Sequence, residues 1–382
     1  MALSFAYVPF FMLFMRSRGI TFTEIGIALA WYYFLFLILE LPSGAIADRI
    51  GRKATLVISG LFKITGLIVS IYSFNITWFL VAESCYAFSR SFSSGADSAF
   101  LYESLAYLKN EKLYNKYEGR ANAYRGFALT FGSMVGGLMA INSLESVYIF
   151  AAIMAAVATV VALFMNETGT RQTGQTVAHY VSHLKLSLKE VGTNKKMMWI
   201  IGYSSLIFIS LRAATISLQQ PLLIHYNFSN GSFGFFDAIV AFTAAIFALL
   251  AHPIEKKLGI KGITFAMPFL SLLIFLFVGI TASWSLSAAL LIFLIIAINW
   301  GLYEPVFRDY LNIQIKDTQK RATILSVESL VSRVAFALVS ILLGWILDQN
   351  FGIEWAFYAI AIITGVGMMV LTALRKVWKI QV

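Results

Sequence analysis

Apolar runs separated by short polar breaks extend along the whole chain, near residues 2–15, 25–47, 54–73, 77–107, 121–142, 147–165, 198–223, 232–253, 262–281, 285–308, 322–346 and 355–374. A helix needs about 20 mostly apolar residues to cross the hydrocarbon core of a bilayer, and most of these runs reach that length. Strands of a membrane barrel would alternate apolar and polar positions, whereas VYIFAAIMAAVATVVALFM, residues 147–165, does not. The pattern predicts an all-α integral membrane protein with twelve transmembrane helices, spans 1–12. Span 1 is short: either it is unusually brief, or the sequence begins downstream of the true start.

Composition agrees with this reading. Of the 382 residues 59% are hydrophobic and 13% charged, against about 25% charged in a soluble domain, and the mean hydropathy is +0.78. A single cysteine, Cys85, excludes an intramolecular disulfide framework and a multi-cysteine metal site. The opening MALSFAYVPFFMLFM has neither a basic leader nor a small-residue cleavage site.

The basic residues give the orientation. Arg49, Arg52 and Lys53; Lys109, Lys112, Lys116 and Arg120; Arg171, Lys185, Lys189, Lys195 and Lys196; Lys256, Lys257 and Lys261; Lys316, Lys320 and Arg321; and Arg375, Lys376 and Lys379 all fall on one side, against Arg16 and Arg18 on the other. By the positive-inside rule both termini and the central loop are cytoplasmic. The net charge of +10 is then an orientation signal, and no nucleic-acid partner is implied. Six spans (1–165), a cytoplasmic link (166–197) and six more (198–382) suggest two halves. A shift of 208 residues carries Gly51 to Gly259, Lys53 to Lys261, Arg125 to Arg333 and Gly136 to Gly344, in keeping with the internal repeats of many transporters. Within the link, Val177, Tyr180, Val181, Leu184, Leu188 and Val191 recur at helical spacing, as expected of an amphipathic helix on the membrane surface. His179 and His183 are four apart, but no carboxylate or cysteine stands by to complete a metal site. No metal or other cofactor is expected.

Between spans 2 and 3 lies GAIADRIGRK, residues 44–53. It resembles the loop motif G-x-x-x-D-R-x-G-R-[RK] of the major facilitator superfamily, matched at Gly44, Asp48, Arg49, Gly51, Arg52 and Lys53. The resemblance implies two six-helix bundles and transport by alternating access. It also implies that Asp48 meets the positive N-terminal end of span 11, at KRATILSVESL from Lys320, in one of the two states, and that the basic residues latch onto an acid near the inner end of span 4, here Glu103. In span 5, Gly119, Ala128, Gly132, Ser133, Gly136 and Gly137 resemble the antiporter motif G-x8-G-x3-G-P-x2-G-G, with Ala128 in place of a glycine and Ser133 in place of the proline. Glycines at such spacing also serve ordinary helix packing. SGADSAFLYESL, residues 94–105, is similar to helix 4 of bacterial members, which favours a bacterial inner membrane.

Ionisable groups inside spans cost about 2.5–3.5 kcal/mol on insertion scales and are functional candidates by default. Glu83, Arg90 and Asp97 in span 4 are spaced by seven, close to one helical face and about 10.5 Å apart along the axis. Arg212 falls in span 7, Asp237 in span 8, Glu304 and Arg308 four apart in span 10, Arg125 in span 5, and Glu328 and Arg333 in span 11. In the superfamily helices 1, 4, 7 and 10 line the cavity, which makes Arg90, Arg212 and Glu304 the substrate-binding candidates and Arg308 a gate residue. Two guanidinium groups suit an anionic or zwitterionic solute. Proton coupling needs a partly buried carboxyl that can carry a proton: Asp97 and Glu83, then Asp237. The alternative for each charge is structural pairing between helices, favoured for Glu328 and Arg333.

The expected activity is proton-coupled efflux of a small amphiphilic compound by a monomer in the bilayer. An uptake symporter or facilitator of the same fold is the alternative, and a non-transporting receptor or scaffold a second. The loops are too short for a soluble catalytic domain, and no G-x-x-x-x-G-K-[ST] segment offers a nucleotide site, so an enzyme is not expected.

Overall fold

The computed structural model describes residues 2–167, 182, 188, 191–314, 318–349 and 351–380. The described residues are helical throughout their main elements: 3-10 turns at Ala2–Phe5 and Val8–Phe10, then α1 (Phe11–Ser17), α2 (Phe22–Ile50), α3 (Arg52–Ile71), α4 (Ile76–Ser93), α5 (Ala96–Tyr107), α6 (Tyr114–Ala140), α7 (Leu144–Leu163), α8 (Lys195–Arg212), a π-helical turn (Ala213–Leu218), α9 (Gln219–His225), α10 (Asn230–Leu249), α11 (Ala251–Thr281), α12 (Leu286–Gln314), α13 (Thr318–Asp348) and α14 (Glu354–Val377). Helix is found at each of the twelve predicted positions. Among the described residues, seven segments are long and apolar enough to cross a membrane by length and composition, and three shorter apolar helices accompany them. The amphipathic helix of the link, with His179 and His183, lies outside the described residues.

Spans 4 and 7 are interrupted near their middles. Span 4 is not one helix: Ser94 takes an extended ψ of 114° and Gly95 a left-handed φ of +78°, which separates α4 from α5. The heptad face drawn through Glu83, Arg90 and Asp97 therefore does not exist as a continuous surface. Span 7 passes from α8 through the π-helical turn into α9.

Helix starts follow local chemistry. Asn75, Ser143 and Asn194 accept hydrogen bonds from the backbone N–H groups of Trp78 (3.2 Å), Ser146 (3.2 Å) and Met197 (3.1 Å), the usual service of a polar residue at the free N-terminal amides of a helix. At α2, Thr21 and Glu24 bond reciprocally: Thr21 N–H donates to Glu24 Oε2 (2.8 Å) and Glu24 N–H to Thr21 Oγ1 (3.2 Å).

The chain forms two compact units, Met1–Ile20 with Trp31–Val181 and Ser229–Ala238, and Thr21–Ala30 with Ser182–Phe228 and Ile239–Val382. In the first, α3 packs most closely against α4 and α7; in the second, α11 packs against α14 and α8 against α13. Each unit includes a ten-residue segment from elsewhere in the chain, and the 208-residue shift carries one of these, Thr21–Ala30, onto the other, Ser229–Ala238. The same shift relates Gly51 to Gly259, whose backbones match at φ +96°, ψ 158° and φ +68°, ψ 156°, a region that only glycine enters without strain.

Glycine also permits the exchanged segments to pack. In the second unit a Cβ at Gly26 would stand 2.5 Å from the Ser340 carbonyl oxygen, and in the first unit one at Gly234 would stand 2.1 Å from that of Ser133. These two glycines are again related by the shift. Gly344 meets Phe22 and Gly137 meets Gly231 just as closely, backbone to backbone, in the manner of small-residue interfaces between membrane helices. Overpacking of this kind costs about 1–3 kcal/mol, so Gly26→Val and Gly234→Val should each lower the thermal stability of the purified protein. Gly126→Ala, at a site with open space around it, should not; equal unfolding temperatures for all three would contradict the packing.

Candidate functional site

Residues 44–53 are not a loop: α2 runs to Ile50 and α3 starts at Arg52, with only Gly51 between them, and the junction carries a small ion-pair network. Asp48 lies one helical turn before Arg52 and pairs with it at 2.9 Å; Arg52 Nε also reaches Glu103 Oε1 at 3.2 Å. Gly51 has no side chain to cap α3, and Glu167, beyond the end of α7, does so instead: its carboxylate accepts the N–H groups of Arg52 (3.1 Å) and Lys53 (2.9 Å). A Cβ at Gly51 would stand 2.5 Å from that carboxylate. A negative group at a helix N-terminus is favoured both by the free amides and by the helix dipole.

Among the described residues of the first unit the most deeply buried Lys, Arg, Asp or Glu side chain belongs to none of the sequence motifs. Lys63, in the middle of α3, is 4% exposed. Its ammonium donates to Tyr7 Oη (3.0 Å) and lies 4.1, 4.6 and 4.7 Å from the ring centroids of Phe5, Tyr7 and Tyr86, a cage that suits a cation through the ring quadrupoles. Glu83, buried on α4, attracts it electrostatically, and Arg90 adds a like charge to the same field. Tyr7 and Phe14 contact Tyr148, Tyr7 stacks on Tyr86, and Tyr86 Oη bonds to Ser70. A buried charge is tolerated only when paired and hydrogen-bonded, and this one is surrounded by suitable partners.

The remaining candidates of this unit are dispersed. Arg90 lies in the last turn of α4 and is exposed rather than at mid-helix, because the break at Ser94–Gly95 follows it. Asp97, in the first turn of α5, is exposed and pairs with Arg125 at 3.2 Å. Asp237 accepts a hydrogen bond from Ser133 Oγ at 2.8 Å, the serine that stands where the span 5 motif carries proline. Gly132, Gly136 and Gly137 are buried on α6 against the first turns of the chain and the start of α10, whereas Gly119 has open space around it.

In the second unit Arg212 ends α8, immediately before the π-helical turn, and its guanidinium lies 4.8 Å from the Trp300 ring and 5.5 Å from that of Phe208. Its Nε is buried with no hydrogen-bond partner among the described residues, as are Ser217 Oγ and Asn299 Nδ2. Ser204 is a junction between α8, α12 and α13: it bonds to Glu328 Oε1 (2.6 Å) and Tyr303 Oη (3.0 Å), while Ser332 also donates to Glu328 (3.1 Å). Glu304 and Arg308 lie on α12 with side chains outside the description, as do the side chains at the start of α13. Among the described residues no three His, Cys, Asp or Glu side chains gather around a common metal position.

At the outer end of α2 as the charge pattern orients it, Asp348 at the end of α13 accepts the N–H groups of Phe22 (2.9 Å) and Thr23 (2.6 Å) and the Thr23 hydroxyl (2.5 Å). One carboxylate thereby ties the start of one helix to the end of another.

Comparison with known proteins gives a family and a fold. The family model described as Major Facilitator Superfamily matches residues 1–316. YxaM of Bacillus subtilis, an uncharacterized MFS-type transporter, is 24% identical over 97% of this chain and 92% of its own. The class H tetracycline resistance protein of Pasteurella multocida is 24% identical over 88% and 84%. Among solved structures, a mutant of the nucleoside transporter NupG superposes with a TM-score of 0.82 at 13% identity, covering 98% of this chain and 96% of that one. A D-xylose–proton symporter gives 0.69 at 14% identity over 98% and 92%.

The Lys63–Glu83 arrangement makes a stability prediction. Removing one partner of a buried pair costs about 3–5 kcal/mol, while an apolar pair of similar volume is far better tolerated. Lys63→Ala and Glu83→Ala should each destabilise the detergent-purified protein by that order, and the double variant carrying both by much less than their sum. Strict additivity in the unfolding measurements would show that the two groups are independent.

Proposed function

The chain belongs to the Major Facilitator Superfamily, and from that premise we propose that it is a proton-coupled exporter of small amphiphilic solutes, anionic or zwitterionic, working by alternating access in a bacterial inner membrane. Its relatives are transporters, not enzymes. The observation that carries the reading is the presence in each unit of a charge kept at considerable cost: the caged Lys63 with Glu83, and Arg212 with a buried Nε that has no partner among the described residues. Such groups in a membrane helix mark substrate and proton paths.

In this reading Arg90 and Arg212 bind carboxylate or phosphate groups of the solute, with Glu304 selecting for a cationic group. Glu83 carries the coupling proton, next to an ammonium whose attraction changes as the carboxyl is neutralised; Asp237 is a second carrier, and Asp97, paired with Arg125 at the surface, is a third. The turn at Gly44–Lys53 with Glu103 and Arg308 forms the inner gate, with Asp48 docking at the start of α13. Asp348 at the start of α2 forms its outer counterpart. Export is favoured over uptake by the tetracycline resistance relative and by the Gly132–Gly137 segment of α6.

The test is substrate movement in everted membrane vesicles under an imposed proton gradient, with tetracyclines first in a panel of toxic compounds and metabolites. Accumulation that collapses with the gradient is expected; loss of substrate from the vesicles would identify uptake. A charge-assisted contact is worth about 1.5–3 kcal/mol, so Arg90→Ala and Arg212→Ala should each cut the rate by at least about tenfold, and Glu83→Gln should leave transport that no longer responds to the gradient. Parent rates in both arginine variants would sink the anionic-solute assignment.

A further inference from the structure

A cleft of about 580 Å³ opens where the start of α8 meets the end of the chain, lined by Thr193, Asn194, Lys195, Lys196, Trp378, Lys379 and Ile380. Its shape is built by a reversal after α14. Trp378 N–H bonds to Leu374 O, Lys379 N–H to Lys376 O and Ile380 N–H to Arg375 O, and Arg375 Nε reaches Ile380 O at 3.4 Å. Lys379 adopts a left-handed φ of +53°, a conformation disfavoured for a residue with a side chain. Ile380 is buried by the fold-back, which brings Trp378 and Lys379 to the lysines of α8.

Three lysines therefore line one open cleft, and no carboxylate is among its lining residues. The positive end of α8, an 18-residue helix, adds to them. Asn194 takes the Met197 N–H with its side chain and the Met198 N–H with its carbonyl, while the N–H groups of Lys195 and Lys196 come too early in the helix to have an intrahelical carbonyl. Backbone amides at a helix start together with lysines form an anion site. Trp378, half-buried beside them, is the residue type that settles at the boundary between headgroups and hydrocarbon. All three lysines fall on the side that the charge pattern makes cytoplasmic, where anionic lipids concentrate and basic pockets between helices bind their headgroups.

We propose that this cleft binds the phosphate of an anionic lipid headgroup. The site is separate from the charged groups assigned to transport, and its assignment does not depend on substrate or coupling. A positive inner surface in general would attract anionic lipid without any defined site, so the test has to separate a local cleft from diffuse charge.

Purified full-length protein should be titrated with phosphatidylglycerol, with phosphatidylcholine and with inorganic phosphate, and bound species resolved by native mass spectrometry. Phosphatidylglycerol should bind and phosphatidylcholine should not. A lysine near an anionic surface contributes about fivefold in affinity, so Lys195→Gln, Lys196→Gln and Lys379→Gln combined should weaken binding by on the order of a hundredfold. Lys379→Gln alone, at an exposed side chain whose exchange leaves the apolar packing intact, should weaken it about fivefold. A charge-matched triple at the exposed Lys112, Lys256 and Lys257, none of which lines the cleft, should leave it within about twofold, since solvent-exposed charges outside the site are screened. Equal loss in the two triple variants, equal binding of phosphatidylcholine, or displacement of the lipid by inorganic phosphate at comparable concentration would each overturn the proposal.

Discussion

The carboxylate of Asp348 accepts two backbone N–H groups at the start of α2, and this contact exists only because glycine lets the two helices come together. At Gly26 and Gly344 the backbones of α2 and α13 approach so closely that a methyl group would overlap a carbonyl oxygen. Apolar burial gives little drive for helices to associate inside lipid, so close packing and polar contacts carry the interaction. A charged cap at a helix terminus adds direction to it, and both parts can be made and unmade without unfolding either helix. Such a contact suits a reversible latch. At the other end of α2 a second carboxylate, Asp48, is engaged within its own unit by Arg52.

Buried charge is the second constraint, and it ties stability to mechanism. Lys63 and Glu83 would be costly alone, and the aromatic side chains of Phe5, Tyr7 and Tyr86 hold the ammonium where Glu83 acts on it. Arg212 is held by Trp300 and Phe208 instead, faces that attract a cation, while its buried Nε has no hydrogen-bond partner among the described residues. One arrangement is complete within its unit and the other leaves a donor open, a difference that fits a proton-handling group and a ligand-handling group respectively.

Much of the fold was legible because membrane helices announce themselves by length and apolarity, and the repeat because Gly51 and Gly259 serve the same backbone turn. The break inside span 4 was signalled by SSGAD, a turn-forming run, but the apolar pattern on both sides hid it. Lys63 was also open to detection, as a lysine in the middle of an apolar span, yet nothing in sequence spacing connects it to Phe5, Tyr7 or Tyr86, which come from other elements. Glu167 could not be found in this way: an acid just beyond span 6 reads as a solvated loop residue until the start of α3 is seen against it. The Asp348 cap likewise joins residues more than three hundred positions apart.

The most direct measurement of the latch is the distance between spin labels at Ile27 and Phe351, both exposed, in a Cys85→Ser background, recorded by pulsed dipolar spectroscopy in lipid nanodiscs. The account predicts a short and a long population, with Asp348→Asn shifting the balance toward the long one. A single distance, unmoved by Asp348→Asn, would contradict it.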